Sequence, residues 1–220
     1  MRRAAEPNDT AAAILEAAEA LFSERGLRGV PLREIARAAG VAVSSVAYHF
    51  GDREGVLQAI YDRHTQPMNA RRLELLREAR RHADPSQRLH AILRAYLLPA
   101  LSLAADGSPG GGARFTRMRA VISAEGDPLT RRVIAETCDP VARIFIEAML
   151  DCLPGANRSD VVWRAQFLLG SMYFMLTSPG RIDRLSDGQA RGSDTEETLR
   201  QLTTSFHDSL LALCRAPAPV

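Results

Sequence analysis

The stretch PLREIARAAGVAVSSVAYHFGDREGVL, from Pro31 to Leu57, constrains the fold of this chain most. Four apolar residues at three- and four-residue spacings place one apolar stripe on a helix: Leu32, Ile35, Ala36 and Ala39. Gly40 interrupts the pattern, and glycine readily takes the left-handed conformation that ends a helix. The stretch therefore predicts a short helix, a tight turn, a second short helix and a third that begins after Asp52.

The second of these helices, from about Val43 to Phe50, is predicted to have an unusual outer side. Val46 and Phe50 are expected to face inward, whereas small hydroxyls and amphipathic aromatics remain outside: Ser44, Ser45, Tyr48 and His49. An outer side without Glu or Lys is suited to contact with a partner. A helix-turn-helix places such a second helix in the major groove of DNA, so we predict this motif over residues 31–50.

Three segments between Ala11 and His64 follow one another in a specific order and spacing: ILEAAEALFSERG, LREIARAAGV and YHFGDREGVL. Together they resemble the DNA-binding domain of TetR-type transcriptional regulators. The resemblance implies a three-helix helix-turn-helix domain over residues 8–65. It also implies a larger helical domain over residues 66–214 that binds an effector and forms a dimer.

The resemblance and the side-chain chemistry together predict the DNA contacts. Ser44 and Ser45 would meet base edges, and Val43 is positioned for a thymine methyl group. Arg53 lies at a helix N-terminus, where exposed N–H groups and a positive side chain favour a phosphate. The seven residues predicted to contact DNA are Arg33, Val43, Ser44, Ser45, Tyr48, His49 and Arg53.

The rest of the chain predicts an all-α fold of about nine to ten helices, because no strand-like alternation occurs. Pro67 is predicted to interrupt the helix that follows Asp52. The basic run after it, NARRLELLREARRH, contains Arg72 and is predicted to be a solvated face. The segment DGSPGGGA, residues 106–113, is predicted to be a loop.

Two helices at the C-terminal end are predicted to form the interface of a homodimer. The segment WRAQFLLGSMYFMLT, within about 159–178, is apolar on nearly every face of its second half and must be covered on all sides. Asp194 with Glu197, or Ser193 with Glu196, forms a capping box for the final helix. That helix carries an apolar stripe: Leu199, Leu202, Phe206, Leu210 and Leu213. A core confined to one chain is the alternative.

The resemblance further implies a pocket for a small-molecule effector among the helices after residue 66. Eight apolar or aromatic residues are predicted to line it: Tyr96, Phe115, Met118, Ile122, Phe145, Met149, Trp163 and Phe167. Their chemistry suits a largely apolar ligand, and Arg117 or Arg164 could pair with an acidic group on it. Ordinary core packing is the alternative for each of the eight.

The sequence predicts no catalytic, cofactor or metal site. The five histidines are scattered, and no Walker A or dinucleotide-binding glycine pattern is present. Three cysteines without CxxC spacing, Cys138, Cys152 and Cys214, indicate a reducing compartment. MRRAAEPNDT leads into a charged amphipathic helix, so no signal peptide and no membrane association are predicted, and the expected location is the cytoplasm.

These observations predict a bacterial, dimeric transcriptional repressor that a small, largely apolar effector releases from a palindromic operator. The net charge of +2 implies weak non-specific DNA binding, so tight binding would need two copies of the domain. Two alternatives come from other classes. One is a ligand-binding helical protein with a vestigial DNA reader, and the other is a regulator switched by the thiol of Cys138 or Cys152.

Overall fold

A computed structural model describes residues 7–102 and 111–214. All regular secondary structure in these residues is helical, which confirms the predicted all-α fold. The helices are α1 (Pro7–Arg25), α2 (Leu32–Ala39), α3 (Val43–Phe50), α4 (Arg53–Ala79), α5 (Pro85–Leu101), α6 (Gly111–Ala124), α7 (Pro128–Thr137), α8 (Asp139–Leu150), α9 (Arg158–Thr177), α10 (Gly180–Leu185) and α11 (Thr195–Leu211). A 3₁₀ turn follows at Ala212–Cys214.

The chain forms two compact units, each built from two segments. The first unit contains the residues up to Gln66 together with Arg117–Thr137, and the second contains Pro67–Thr116 together with the residues from Cys138 onward. In the first unit α1, α2 and α3 pack against one another. Apolar side chains with no more than 1% exposure form its core: Ile14, Ala18, Phe22, Leu27, Val30, Ile35, Ala36, Val46, Val56, Leu57 and Ile60.

The turn between α2 and α3 has the geometry that its glycine predicts. Gly40 takes the left-handed conformation, with φ of 70°. The N–H groups of Gly40 and Val41 donate to the carbonyls of Arg37 and Ala36 at 3.2 and 3.0 Å, and these bonds satisfy the last turn of α2. Helix α3 then begins at Val43 and ends at Phe50, within the predicted bounds.

Helix α4 runs without interruption from Arg53 to Ala79, so the predicted break at Pro67 is wrong. A proline removes only one hydrogen bond from a helix interior, at a cost of about 3 kcal/mol. Buried apolar side chains on both sides of Pro67 outweigh that cost, among them Ile60 and Tyr61 before it and Leu76 after it. The helix begins after Asp52, as predicted, and Asp52 caps it, because the Gly55 N–H donates to Asp52 Oδ1 at 3.0 Å.

The second unit is a helical bundle in which α11 packs on α5 and α9, and α8 packs on the same two helices. Its helices α5 and α11 each begin with an aspartate N-cap, and the cap of α11 is one of the two that the sequence predicts. Asp84 accepts from the Gln87 N–H at 2.7 Å, and Asp194 accepts from the Glu197 N–H at 3.0 Å. Residues 106–110 of the predicted loop lie outside the described residues. The last three residues of that prediction are helical, since α6 begins at Gly111.

Among the helices described, none combines the length and the hydropathy that crossing a membrane requires.

Candidate nucleic-acid interface

Helix α3 presents an exposed face built from the predicted DNA-contacting residues. Val43 is 47% exposed and Tyr48 is 86% exposed, while Ser44 is also on the surface. Ser45 and His49 are half-buried, and the ring of His49 meets that of Tyr48 edge-on with centroids 5.2 Å apart. On the opposite side of the helix Val46 is fully buried and fixes α3 to the core.

The two predicted phosphate-binding arginines have different surroundings. Arg33 is exposed on α2. Arg53, the first residue of α4, is half-buried, and its Nη1 donates to the carbonyl of Leu27 at 3.1 Å. Arg53 therefore joins the start of α4 to the turn between α1 and α2. A guanidinium has five N–H donors, so this bond leaves others for a phosphate.

Glu125, which directly follows α6, binds the same turn and was not among the predicted site residues. Its Oε2 accepts from the backbone N–H of Leu27 at 3.1 Å and from that of Arg28 at 3.3 Å. No local pattern could have revealed this contact, because the partners are 98 and 97 residues apart in the chain.

Two ion pairs join the segment that contains α7 to the helices near α3. Arg28 Nε lies 3.3 Å from Asp127 Oδ2, and Arg132 of α7 pairs with Glu54 in the first turn of α4. The pKa of Asp127 is lowered, chiefly because its carboxylate accepts from the backbone N–H of Leu129 and also because Arg28 is nearby. Asp127 therefore caps α7 as a carboxylate.

Six of the predicted pocket residues lie in the second unit: Tyr96, Phe115, Phe145, Met149, Trp163 and Phe167. Phe115, Phe145 and Met149 are buried, and the Tyr96 and Phe145 rings meet edge-on with centroids 5.2 Å apart. Two more of the predicted residues, Met118 and Ile122, are fully buried in the first unit.

Arg72 is an exception to the predicted solvated basic face after Pro67, since the other arginines of that run are exposed: Arg71, Arg77, Arg80 and Arg81. Arg72 is only 3% exposed, and its guanidinium lies 4.2 Å from the centroid of the Tyr96 ring. Arg72 Nε also donates to the Tyr96 carbonyl at 3.0 Å. The aromatic face and the carbonyl together compensate the loss of water around this cation. A helical charge pattern does not contain this information, since Tyr96 belongs to another helix.

Trp163 and Phe167, two of the six predicted pocket residues in the second unit, lie on the exposed face of α9. They are 58% and 49% exposed, and their ring centroids are 5.7 Å apart. Phe174, two turns further along the same face, is 52% exposed. Between them Gly170 faces open space: apart from the backbone of its own helix and the two adjacent residues, no described atom lies within 4 Å of the place that a Cβ there would take. We call Trp163, Phe167, Gly170 and Phe174 the α9 stripe.

The cysteines are not arranged for thiol chemistry. Cys138 and Cys152 are buried, and burial raises the pKa of the Cys152 thiol, so the reactive thiolate is disfavoured. Cys214 is exposed at the end of the described chain. Within the described ranges, no three His, Cys, Asp or Glu side chains are grouped so that they could hold a metal ion.

Comparison with known proteins identifies relatives of both halves of the chain. The family model for bacterial regulatory proteins of the tetR family matches residues 14–60, and the model for the tetracyclin repressor-like C-terminal domain matches residues 94–207, just over half of the chain. The HTH-type transcriptional repressor BepR of Brucella suis biovar 1 (strain 1330) is 40% identical over 104 residues, which are 47% of each protein. The HTH-type transcriptional regulator AcrR of Shigella flexneri is 35% identical over 88 residues, or 40% of each.

The alignments with these curated relatives span about half of the length of each. Solved structures cover more of the chain at lower identity. The fatty acid degradation regulator FadR from Bacillus halodurans is 18% identical, with a TM-score of 0.58 over 98% of this chain and 100% of its own. The TetR family transcriptional regulator PfmR from Thermus thermophilus is 20% identical, with a TM-score of 0.59 over 90% and 93%. These structures show the same fold, and the two family models show that the chain belongs to the TetR family of bacterial regulatory proteins.

Proposed function

We propose that this protein is a sequence-specific DNA-binding transcriptional repressor that acts in the cytoplasm as a homodimer on a palindromic operator. The exposed face of α3 carries the proposal, because it combines an 86% exposed Tyr48 and a 47% exposed Val43 with a fully buried opposite side. Relatives named as transcriptional repressors, BepR among them, support repression as the outcome of binding.

In this proposal the DNA-binding domain spans residues 8–65 and uses the seven residues predicted from the sequence. Ser44, Ser45 and Val43 read base edges, because they stand in the first turn of a helix that would enter the major groove. Tyr48, His49, Arg33 and Arg53 hold the phosphate backbone, which sets the register of the helix without reading sequence.

The α9 stripe supports dimerisation through the two long C-terminal helices, α9 and α11. Three large aromatic side chains on one exposed helix face leave an apolar surface that a second copy would cover. The open position at Gly170 allows the backbone of a partner helix to approach closely. The apolar stripe of α11 contributes less, because Leu199, Leu202 and Leu210 are already buried within one chain. We accordingly assign Trp163 and Phe167 to the dimer face.

A small, largely apolar effector that releases the operator completes the proposal, with the effector domain over residues 66–214. In the second unit the residues proposed to meet it are Tyr96, Phe115, Phe145 and Met149, which are apolar or aromatic. Met118 and Ile122 remain predictions from the sequence. Ordinary core packing is the competing role, and mutation of Phe145 to a smaller apolar residue would distinguish the two. A weaker response to the effector at an unchanged melting temperature would indicate a pocket residue. A lower melting temperature with an unchanged response would indicate a core residue.

The experiment that tests the proposal is selection of bound duplexes from a random DNA library by the purified protein at near-physiological salt. We expect an inverted repeat, with half-sites about one helical turn apart or a multiple of it. If folded, dimeric protein recovers no duplex above background, the DNA-binding function is contradicted. That result would favour a ligand-binding protein whose helix-turn-helix domain has lost its ability to bind DNA. The thiol-switch alternative predicts that an oxidant releases the operator and that Cys152→Ser abolishes the release.

A further inference from the structure

The segment Arg117–Thr137, which we call the elbow, contains the second half of α6 and all of α7, and it belongs to the same compact unit as the helix-turn-helix. We propose that Glu125 in the elbow is a positioning residue for α3, and that it acts through the turn between α1 and α2. The inference rests on the proposed DNA-binding function. It concerns a residue outside the helix-turn-helix and outside the proposed contacts with DNA.

The first step is the attachment of the elbow to the turn. The Glu125 carboxylate receives two successive backbone N–H groups, those of Leu27 and Arg28, at 3.1 and 3.3 Å. Hydrogen bonds to a carboxylate are stronger than those between neutral groups, and two donors on neighbouring residues fix its orientation. The preceding residue, Gly26, has φ of 74°, and a Cβ there would lie 1.8 Å from Glu125 Oε1. Glycine thus permits both the turn and the approach of the carboxylate.

The second step leads from the turn to the recognition helix. The carbonyl of Leu27 accepts from Arg53 Nη1 at 3.1 Å, and Arg53 is the first residue of α4. Only Gly51 and Asp52 separate it from Phe50, the last residue of α3. A shift of the turn would therefore move the C-terminal end of α3, because so few residues can absorb it. Glu125, Leu27 and Arg53 form a continuous path from the elbow to α3.

Two ion pairs accompany this path, but they cannot replace it. In the pair of Arg28 with Asp127 the arginine side chain is 60% exposed, and in that of Arg132 with Glu54 the two side chains are 57% and 48% exposed. Exposed ion pairs contribute little in water and less at high salt. The hydrogen bonds from Glu125 to backbone N–H groups are local and geometrically fixed. Among these polar contacts, Glu125 is therefore the principal anchor of the elbow.

The test compares Glu125→Ala and Glu125→Gln with the wild-type protein, and it uses Glu136→Ala as the matched control. Glu136 is an exposed glutamate of α7, so its removal changes the charge of the elbow equally. Three quantities are measured at one salt concentration: the Kd for the selected operator, the Kd for a random-sequence duplex, and the exchange rate of the Leu27 and Arg28 amides. Thermal melting shows that each variant is folded.

We expect Glu125→Ala to bind the operator about tenfold more weakly, while its affinity for the random duplex is unchanged. Non-specific binding depends on charge, and specific binding also requires a fixed α3. Amide exchange at Leu27 and Arg28 should rise. The operator affinity of Glu125→Gln should lie between those of the wild-type protein and Glu125→Ala, because the amide oxygen still accepts a hydrogen bond. If the alanine variant does not fold, the glutamine variant alone provides the test.

Wild-type affinity for the operator in Glu125→Ala would overturn the inference, and so would an equal loss on both duplexes, since that indicates general destabilisation. A response of Glu136→Ala equal to that of Glu125→Ala would overturn it as well. These outcomes differ from failure of the proposed function, in which the wild-type protein itself selects no duplex. That result would overturn the function and the inference together.

Discussion

At the residue scale, Arg53 connects the proposed DNA contact with the internal structure of the first unit. Its guanidinium holds the Leu27 carbonyl, yet the residue starts a helix whose first N–H groups favour a phosphate. The same side chain could therefore serve binding through a direct contact or through the position of α3. The salt dependence of binding distinguishes these roles, because only a phosphate contact releases counterions.

We predict that Arg53→Ala weakens binding to operator and random duplex alike and reduces the slope of log Kd against log salt by about 0.9 for each half-site. The slope is measured by fluorescence anisotropy between low and physiological salt. Arg80→Ala removes an exposed arginine from the second unit and should leave the slope unchanged. A weaker Kd with an unchanged slope would show that Arg53 acts only through Leu27.

Sequence patterns predicted residues well where neighbours in the chain determine the environment. Gly40 and Asp52 took their predicted roles because a helix end is governed by residues a few positions away. Arg72 and Glu125 were mispredicted or missed for the opposite reason. The environment of Arg72 is set by Tyr96 and that of Glu125 by Leu27, which lie 24 and 98 positions away in the chain. A charged residue in a polar run gives no local sign of such a partner.

At the element scale, the uninterrupted α4 shows how tertiary burial overrides a local signal. Pro67 remains within the helix, so its position lacks one backbone hydrogen bond that any other residue would make. We predict that Pro67→Ala stabilises the protein by about 2 kcal/mol, after allowance for the greater freedom of the unfolded chain. The melting temperature should rise by roughly 5 °C, as measured by circular dichroism.

Pro85→Ala is the matched control for this prediction, because Pro85 occupies the first turn of α5, where no N–H donor is needed. Its melting temperature should change little. A fall in the melting temperature of Pro67→Ala would instead show that the proline ring packs in a way that alanine cannot replace.

The contact between α5 and α11 contains His90, which should respond to pH. The rings of His90 and His207 have centroids 5.8 Å apart, and His207 also contacts Ser86 and Asp208. The pKa of His90 is lowered from 6.5, chiefly by burial and also by His207 and Arg94. The unfolded chain then binds a proton more readily than the folded one, so stability is full above pH 6.5 and is lost as the pH falls towards the lowered pKa.

We predict that the melting temperature falls more steeply below pH 6.5 in the wild-type protein than in His90→Gln. The effect should be small, on the order of 1 °C, since the ring is largely exposed to solvent. Equal profiles for wild type and His90→Gln would contradict a role of His90 in the pH dependence.

At the scale of the whole molecule, the α9 stripe predicts the oligomeric state. We expect the double change Trp163→Glu with Phe167→Glu to yield a folded monomer at micromolar concentration, since two buried carboxylates would oppose each other in the dimer. Light scattering after gel filtration measures the mass. Affinity for the full operator should fall at least about a hundredfold, because each monomer then binds its half-site independently.

Ile144→Glu serves as the control, because Ile144 is an apolar residue of α8 that is 39% exposed and lies outside the stripe. It should remain a dimer. A double variant that also remains a dimer would place the interface elsewhere on the molecule.

The helical architecture was more predictable from the sequence than the division of the chain into two compact units. Apolar periodicity and caps identify most helices, and the family resemblance implies their order. The short α10 has no buried residue, so no apolar pattern could reveal it. Composition along the chain also does not reveal that Arg117–Thr137 joins the residues up to Gln66 in one compact unit. That grouping depends on contacts such as the one from Glu125, which only the folded structure brings together.

The first unit is built from two segments that are far apart in the chain, and this has a consequence for biosynthesis. Residues 67–116 are made after the helix-turn-helix and before the elbow, so a nascent chain that has emerged only as far as α5 lacks the partner of the α1–α2 turn. The hydrogen bonds from Glu125 can form only when the elbow has left the ribosome. Full affinity for the operator would then be acquired only after the elbow is made, and the first 66 residues expressed as a fragment would lack this contribution.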